Sequence, residues 1–524
     1  MSEFTIISFI ILPPLLIAIV VIPVASLFRM SKPERLGSLS FCASLISFVF
    51  SLVLLRAFPH TVSRFTFFGI QFSIDALSVY FIVLTNVVAL FASFFTRFTV
   101  MQGGEIEESY DGGRASSPRF HLQFNLLYCS MLLLPMMDNL FVLCILIAFM
   151  TAVSAMLIGY RPDREAREAA WKYGMISLPA ILIALLGTIF LITAFSENAA
   201  IALNWSSLTD ALTKHHLVPG PQAQSIIKLA FLLILIGYGT MAGLFPMHTW
   251  LPDSLGEAPS PVSALISGVL LKSALYIILR FYVISNLALA GPGETMHDNF
   301  PSYALLIFGL LSLIMATLFI LNIKKGSRFK RVLAFLNLEH MGMITFALGL
   351  SIPLAFFGSL FNMMNHALSM SLMFLTYGHI QSANPKVPIG GEIHGVLHNM
   401  PFAGSILGLG GLALVGAPPF SVSLSEFMIL WAAFRKALGN PLGIVILCLF
   451  LISVTLTFAG IVAHLGRVLL GKSPVQPEKK FGYKKQYFVL GVMLLLLIWG
   501  GFNSFPFTAL LGQNVRILCQ GVCP

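Results

Sequence analysis

Apolar residues fill most of this chain in blocks of roughly 20, separated by short polar clusters and without the period-2 alternation of exposed strands. A helix needs about 20 apolar residues to cross the hydrocarbon core of a bilayer. Runs of that length lie at about 4–28, 36–57, 76–100, 119–137, 139–159, 173–196, 226–249 and 262–288. Six more follow at about 302–323, 330–350, 352–378, 401–434, 441–466 and 486–512. The pattern predicts an all-α polytopic membrane protein with about fourteen transmembrane helices, because continuous apolar runs are not barrel strands.

Two of these runs are interrupted alike. The seventh carries Gly237, Gly239, Gly243 and Pro246, and the twelfth carries Gly408, Gly410, Gly411, Gly416, Pro418 and Pro419. Glycine weakens a helix and proline removes a backbone donor, so both spans are expected to be discontinuous. Broken backbone at membrane depth is tolerated where it is buried or lines a wet cavity. Breaks five spans apart point to two five-helix repeats, spans 4–8 and 9–13. The expected division is a three-helix N-terminal segment (1–118), a first repeat (119–290), a second repeat (302–471), and a C-terminal loop with the last helix (472–524).

Composition agrees with a lipid-embedded chain. Of 524 residues, 57% are hydrophobic and 10% charged, where soluble domains carry roughly 25% charged residues. The net charge of +10 would suggest nucleic-acid binding in a soluble protein, but here the basic residues sit between apolar runs and report topology. With the N-terminus outside, inward loops hold 22 Lys and Arg and outward segments hold 7. Both termini are therefore expected to face outward from a bacterial or archaeal cell (inner) membrane. The first run contains Pro13 and Pro14 and lacks a basic leader, so it is not expected to be a cleavable signal. The mixed-sign loop from Arg161 to Glu168 is expected to be a solvated, helical approach to span six, and the lysine-rich run from Lys472 to Lys485 an ordinary inward loop.

Candidate chemistry lies in charges inside apolar runs, which are costly and functional by default. Lys272 sits ten residues into the eighth run, and His340 and His366 lie in the tenth and eleventh. Histidine can both give and take a proton near neutrality, as a relay requires. Glu339 adjoins one histidine, Glu426 follows the second break, and His248 follows the first, with Glu257 nine residues on. Together these predict a polar file across the membrane midplane. Asp75, at the start of the third run, is expected to cap a helix. The close pair Cys519 and Cys523 has no histidine cluster to make it a metal site. No phosphate loop, haem-attachment motif or iron–sulfur cysteine framework is present. Any cofactors of a redox complex containing this chain are thus expected in other subunits.

The stretch Gly243-Leu-Phe-Pro-Met-His-Thr-Trp-Leu-Pro-Asp253, then Glu257-Ala-Pro-Ser-Pro-Val-Ser-Ala264 and Gly268-Val-Leu-Leu-Lys272, resembles the signature of antiporter-like subunits. That family includes the proton-pumping membrane subunits of respiratory complex I, Mrp cation/proton antiporters and membrane-bound hydrogenases. Glu168-Ala-Ala-Trp-Lys-Tyr173 and Ser421-Val-Ser-Leu-Ser-Glu-Phe-Met428 look closest to the hydrogenase-4 component F branch of that family. The resemblance covers spans 3 to 13 and implies fourteen spans with two broken helices. It implies a proton path through Lys272, His340, His366 and Glu426. It also shows two departures: Ala148 stands where the family has a glutamate in span five, and Met241 where it has a lysine in span seven. Asp138 and Lys228, at matching depths near the outward ends of their spans, are candidates to pair with each other.

The expected function is that of a proton-conducting, non-catalytic subunit of a multi-subunit energy-converting complex of the hydrogenase 4 or NADH–quinone oxidoreductase type. Its partners would be other membrane subunits and a peripheral redox or transport protein, with no nucleic acid. The alternative is a non-redox transport complex, either a cation/proton antiporter or an inorganic-carbon uptake system. A purely structural role fits less well, since an idle polar axis costs stability.

Overall fold

The computed structural model describes residues 3–27, 33–57, 63–67, 70–99, 116–195, 199–214, 219–290, 300–323, 329–384, 393–471, 483–502 and 505–519. Helices α1 (Glu3–Leu27), α2 (Pro33–Ala57) and α3 (Ala76–Thr99) open the chain. Between α2 and α3 stands an antiparallel hairpin, β1 (Ser63–Phe67) and β2 (Ile70–Ile74), with Ser63 opposite Ile74. The apolar pattern did not predict these strands. One face of α2 carries Ser40, Ser44, Ser47 and Ser51, all buried. Such small residues let membrane helices approach closely: Ser44 Oγ meets Ser93 Oγ of α3 at 2.6 Å, and Ser47 donates to the Ile10 carbonyl of α1 at 2.7 Å.

Helix α4 (Ser116–Leu133) turns into α5 (Leu140–Ile158), whose N-cap Asn139 accepts from the amides of Phe141 and Val142. Helix α6 (Arg164–Ala194) begins well before its apolar run because Asp163 caps it by accepting from Ala166 N. The short α7 (Ala199–Ala202) and α8 (Trp205–Lys214) lead to α9 (Pro221–Met241). After the first break come α10 (Leu251–Glu257), α11 (Ser260–Leu265), a single π-helical turn over Ile266–Leu270, and α12 (Leu271–Leu289). The second half consists of α13 (Phe300–Asn322), α14 (Phe329–Gly349), α15 (Pro353–Ser382), the short α16 (Val396–Asn399), α17 (Pro401–Leu414), α18 (Ser421–Ala437) and α19 (Pro441–Leu469). The run expected as one last span is divided into α20 (Tyr483–Phe502) and α21 (Phe505–Cys519). At 15 residues, α21 falls short of the roughly 20 needed to cross.

Among the described residues, ten helices are long and apolar enough to span a membrane, and two shorter apolar helices accompany them. Burial sorts them into centre and rim. The apolar window of Ser260–Leu289 is entirely buried, whereas 33% of that in Pro441–Leu469 is. Large apolar side chains such as Leu182 and Phe488 lie exposed on outer helices, a surface that lipid rather than water covers. The chain is a polytopic helical membrane protein. Lys272 belongs to its most central segment.

The two breaks are closed by the same hydrogen bonds. After α9, Gly243 N donates to Thr240 O at 3.1 Å and Leu244 N to Gly239 O at 2.8 Å, with Gly243 at φ +75°. After α17, Gly416 N donates to Ala413 O at 3.3 Å and Ala417 N to Leu412 O at 3.0 Å, with Gly416 at φ +71°. Both are Schellman ends, in which a left-handed glycine lets the chain turn back on the last carbonyls. Glycine is needed because a side chain is strained in that conformation. Helix α20 comes close to the second break: a Cβ on Gly501 would overlap Pro419 O.

Candidate functional site

The π-helical turn Ile266–Leu270 directly precedes α12. Such insertions are frequent at functional sites because they redirect backbone groups. Here the Ser267 carbonyl accepts from Lys272 Nζ at 2.6 Å. Ser267 Oγ in turn donates to Asn337 Oδ1 of α14 at 2.6 Å, tying the turn to the neighbouring helix. The second partner of Lys272 Nζ is His366 Nδ1 of α15, at 2.7 Å. Among the described residues both partners are neutral acceptors, and the lysine is fully buried.

The His366 ring faces the His340 ring with centroids 4.4 Å apart. His340 Nε2 donates to the carbonyl of Leu414 at 2.9 Å, the last residue of α17 before its break. A carbonyl only accepts, so this bond assigns the His340 proton to Nε2. By the same reasoning an ammonium at Lys272 leaves the His366 proton on Nε2. His340 Nδ1, His366 Nε2 and the nearby Asn362 Oδ1 are buried without a hydrogen-bond partner.

Glu339 extends the file: its Oε2 lies 3.4 Å from His340 Nε2, and both side chains are buried. On the other side of the break, Glu426 in the first turns of α18 lies against Gly416, where a Cβ would overlap Oε2. Glu339 is the charged neighbour that Glu426 feels most. The structure thus joins Lys272, His366, His340 and Glu339 by direct contacts, and sets Glu426 beside the break that receives the His340 bond.

Other expected residues fall elsewhere. His248 is buried against the rings of Phe245 and Phe319, at 5.6 and 5.0 Å, rather than in the file. Glu257 accepts from Arg161 at 2.6 Å, so the first residue of the mixed-sign loop is buried and paired, not solvated. Asp138 does not pair with Lys228. Its carboxylate accepts from Ser206 N at 2.9 Å and Ser206 Oγ at 2.6 Å, while Lys228 is exposed on α9. Burial raises the Asp138 carboxyl above its ordinary range, and the two Ser206 bonds offset this in part. Cys519 is disulfide-bonded, and Cys523 lies outside the described residues, as does most of the lysine-rich run, 472–482. Among the described residues no cluster of three or more His, Cys, Asp or Glu is placed to hold a metal.

Residues 114–457 match the family described as "NADH:quinone oxidoreductase/Mrp antiporter, TM". The chain belongs to this family. It is 33% identical over 431 residues to the hydrogenase-4 component F homolog of Methylacidiphilum infernorum, covering 80% of this chain and 84% of that protein. Among solved structures it resembles a chain of the membrane-bound sulfane sulfur reductase, described as an archaeal respiratory membrane complex. The TM-score is 0.79 at 20% identity, over 98% of this chain and 97% of that one. A chain of the Mrp complex from Dietzia sp. gives 0.78 at 15% identity, over 99% of both. These likenesses establish an antiporter-like membrane subunit.

Two features escaped the sequence. Asp75 does cap α3, accepting from Ser78 N at 2.9 Å, but both its oxygens also hold Arg280 of α12 at 2.6 Å. The Arg280 guanidinium lies 3.7 Å over the Trp205 ring, a second favourable setting for a buried cation. The available signal was an arginine and an aspartate, each at the outward end of its own apolar run. At the departing positions the surroundings are neutral. Met241 is buried with Thr151 Oγ1 4.0 Å from its sulfur, and one turn away Tyr238 meets Cys144 at 2.7 Å. Ala148 packs half-buried at the edge of the same core.

Proposed function

We propose that this chain is a proton-conducting subunit of a multi-subunit energy-converting membrane complex of the hydrogenase 4 or NADH–quinone oxidoreductase type. The observation that carries the reading is Lys272 Nζ at 2.7 Å from His366 Nδ1, with the next imidazole stacked beyond it. The family supplies the context, and the named relative is a hydrogenase-4 component. Lys272 gives a proton to His366 Nδ1, becoming neutral while the imidazole becomes a cation. His366 releases its Nε2 proton toward His340, with water completing the gap, and His340 hands on to Glu339 and then to Glu426 beside the second break. Each group takes one proton and loses one, so the file is restored after every passage.

In this reading all fourteen apolar runs cross, in two five-helix repeats over 119–290 and 302–471, and both termini face outward from a prokaryotic cell membrane. The matching Schellman ends at Gly243 and Gly416 support the repeat. The chain holds no redox centre, and a peripheral partner supplies the driving reaction. A second reading, the proton path of a non-redox transport complex, is favoured by Ala148 and Met241. Loss of both members of the family's charged pair is coherent, since loss of one alone would leave a buried unpaired charge. Gentle purification of the tagged protein followed by mass spectrometry of its partners decides between the two. Iron–sulfur or quinone-reducing partners support the first, and partners without a redox centre support the second.

A further inference from the structure

Helix α20 packs on α15, α17 and α18, away from α2 and α3. A cavity of about 510 Å³ lies between it and those two helices, lined by Phe41, Leu90, Phe91, Phe94, Phe488 and their valine neighbours, with Lys484 and Lys485 at one end. Phe41 and Phe94 meet edge to face at 5.5 Å and form its inner wall. None of the lining residues is acidic. Both lysines are exposed in the first turn of α20. The same end carries Arg35 and Arg97, the latter packed where α3 crosses Gly37 of α2. By the asymmetry of Lys and Arg, this is the inward end of all three helices. The groove is thus apolar along its length, open to the bilayer at Phe488, which is 73% exposed, and cationic at the depth of the head groups.

We propose that the groove between α2, α3 and α20 binds an anionic phospholipid, with an acyl chain against its phenylalanines and the head-group phosphate at Lys484 and Lys485. Basic pockets between transmembrane helices on the inward side recognise such head groups by charge. Lysine suits this role because its apolar stem lies along the cavity wall while the ammonium reaches the head-group level. A zwitterionic lipid would satisfy the apolar walls equally well. The lysines are what make the site selective.

The test uses the full chain, purified with its partners and exchanged into mixed micelles of phosphatidylglycerol and phosphatidylcholine, with retained lipid read by native mass spectrometry. The expected result is phosphatidylglycerol retained in preference to phosphatidylcholine. Combined Lys484→Gln and Lys485→Gln should reduce that preference about 30-fold, the loss of two lysine–phosphate attractions. Leu90→Trp fills the cavity and keeps both lysines, and it should also remove the retained lipid. Equal retention of the two lipids overturns the proposal. So does an unchanged preference in the lysine variant. So does full retention in Leu90→Trp, which would place the lipid on the open surface. A cross-link from position 488 to a neighbouring protein in place of lipid would overturn it too, since the groove would then be a protein interface.

Discussion

Lys272 donates to Nδ1 of His366 at 2.7 Å, while two turns further along the same helix Arg280 is held by both oxygens of Asp75 at 2.6 Å. The helix therefore carries two buried cations in opposite circumstances. Arg280 faces a carboxylate, and its charge is fixed in place. Lys272 faces neutral acceptors, one of them an imidazole that leads on to a second imidazole. The first arrangement holds structure and the second can pass a proton.

Removing one partner of the fixed pair should destabilise the protein without a specific effect on conduction. Arg280→Ala or Asp75→Ala is expected to cost about 3–5 kcal/mol, because either leaves a buried charge alone. Changing both residues to leucine should cost less than either single change. Thermal unfolding in detergent of the three variants checks the ordering.

Members of the file should behave as a unit. His340→Ala and His366→Ala are each expected to slow proton translocation on the order of 10²-fold, the scale of a lost proton-transfer group. The double variant should be no slower than the slower single one, because a broken relay cannot be broken twice. Additive losses would point to two separate routes.

The two left-handed glycines offer an internal comparison. Alanine at either should strain the backbone by about 1–2 kcal/mol. At Gly416 the new Cβ would also overlap Glu426 Oε2, whereas at Gly243 its nearest neighbour is Leu251 Cδ2 at 3.1 Å. Gly416→Ala should therefore lower conduction by more than its loss of stability accounts for, and Gly243→Ala should not. Paired measurements of melting temperature and vesicle proton uptake separate the two effects.

Ala148 and Met241 occupy the positions of the family's missing pair. Ala148→Glu alone should lower stability by about 3 kcal/mol, the cost of a charge at membrane depth. Adding Met241→Lys should recover most of that loss if the two helices still present these positions to each other. Expression level and thermal stability of the single and double variants provide the readout.

Much of the file could be seen in the sequence because Lys272, His340, His366 and Glu426 interrupt runs that are otherwise apolar, and lipid makes every such interruption conspicuous. The breaks were visible for a related reason: glycine and proline cluster where a helix must end. What stayed hidden was pairing. Depth along a helix suggested Asp138 with Lys228, but rotation about the helix axis decides contact, and Lys228 points out of the bundle. Rotation likewise brings Arg161 inward to Glu257 and turns Asp75, expected only to cap, toward Arg280. Glu339 stood out as a neighbour of His340 in sequence, and the fold gave it the further role of facing Glu426. The hairpin at Ser63–Ile74 lies between apolar runs, where hydropathy carries no signal.

The most direct test of the proposed path is proton translocation in sealed inverted vesicles carrying the intact complex, followed by a pH-sensitive dye during turnover of the partner reaction. Lys272→Ala should leave assembly intact and abolish the dye response. Lys272→Arg should not rescue it, since a guanidinium does not release its proton. A full response from correctly assembled Lys272→Ala would overturn the path, because protons would then be crossing by a route that does not include the file.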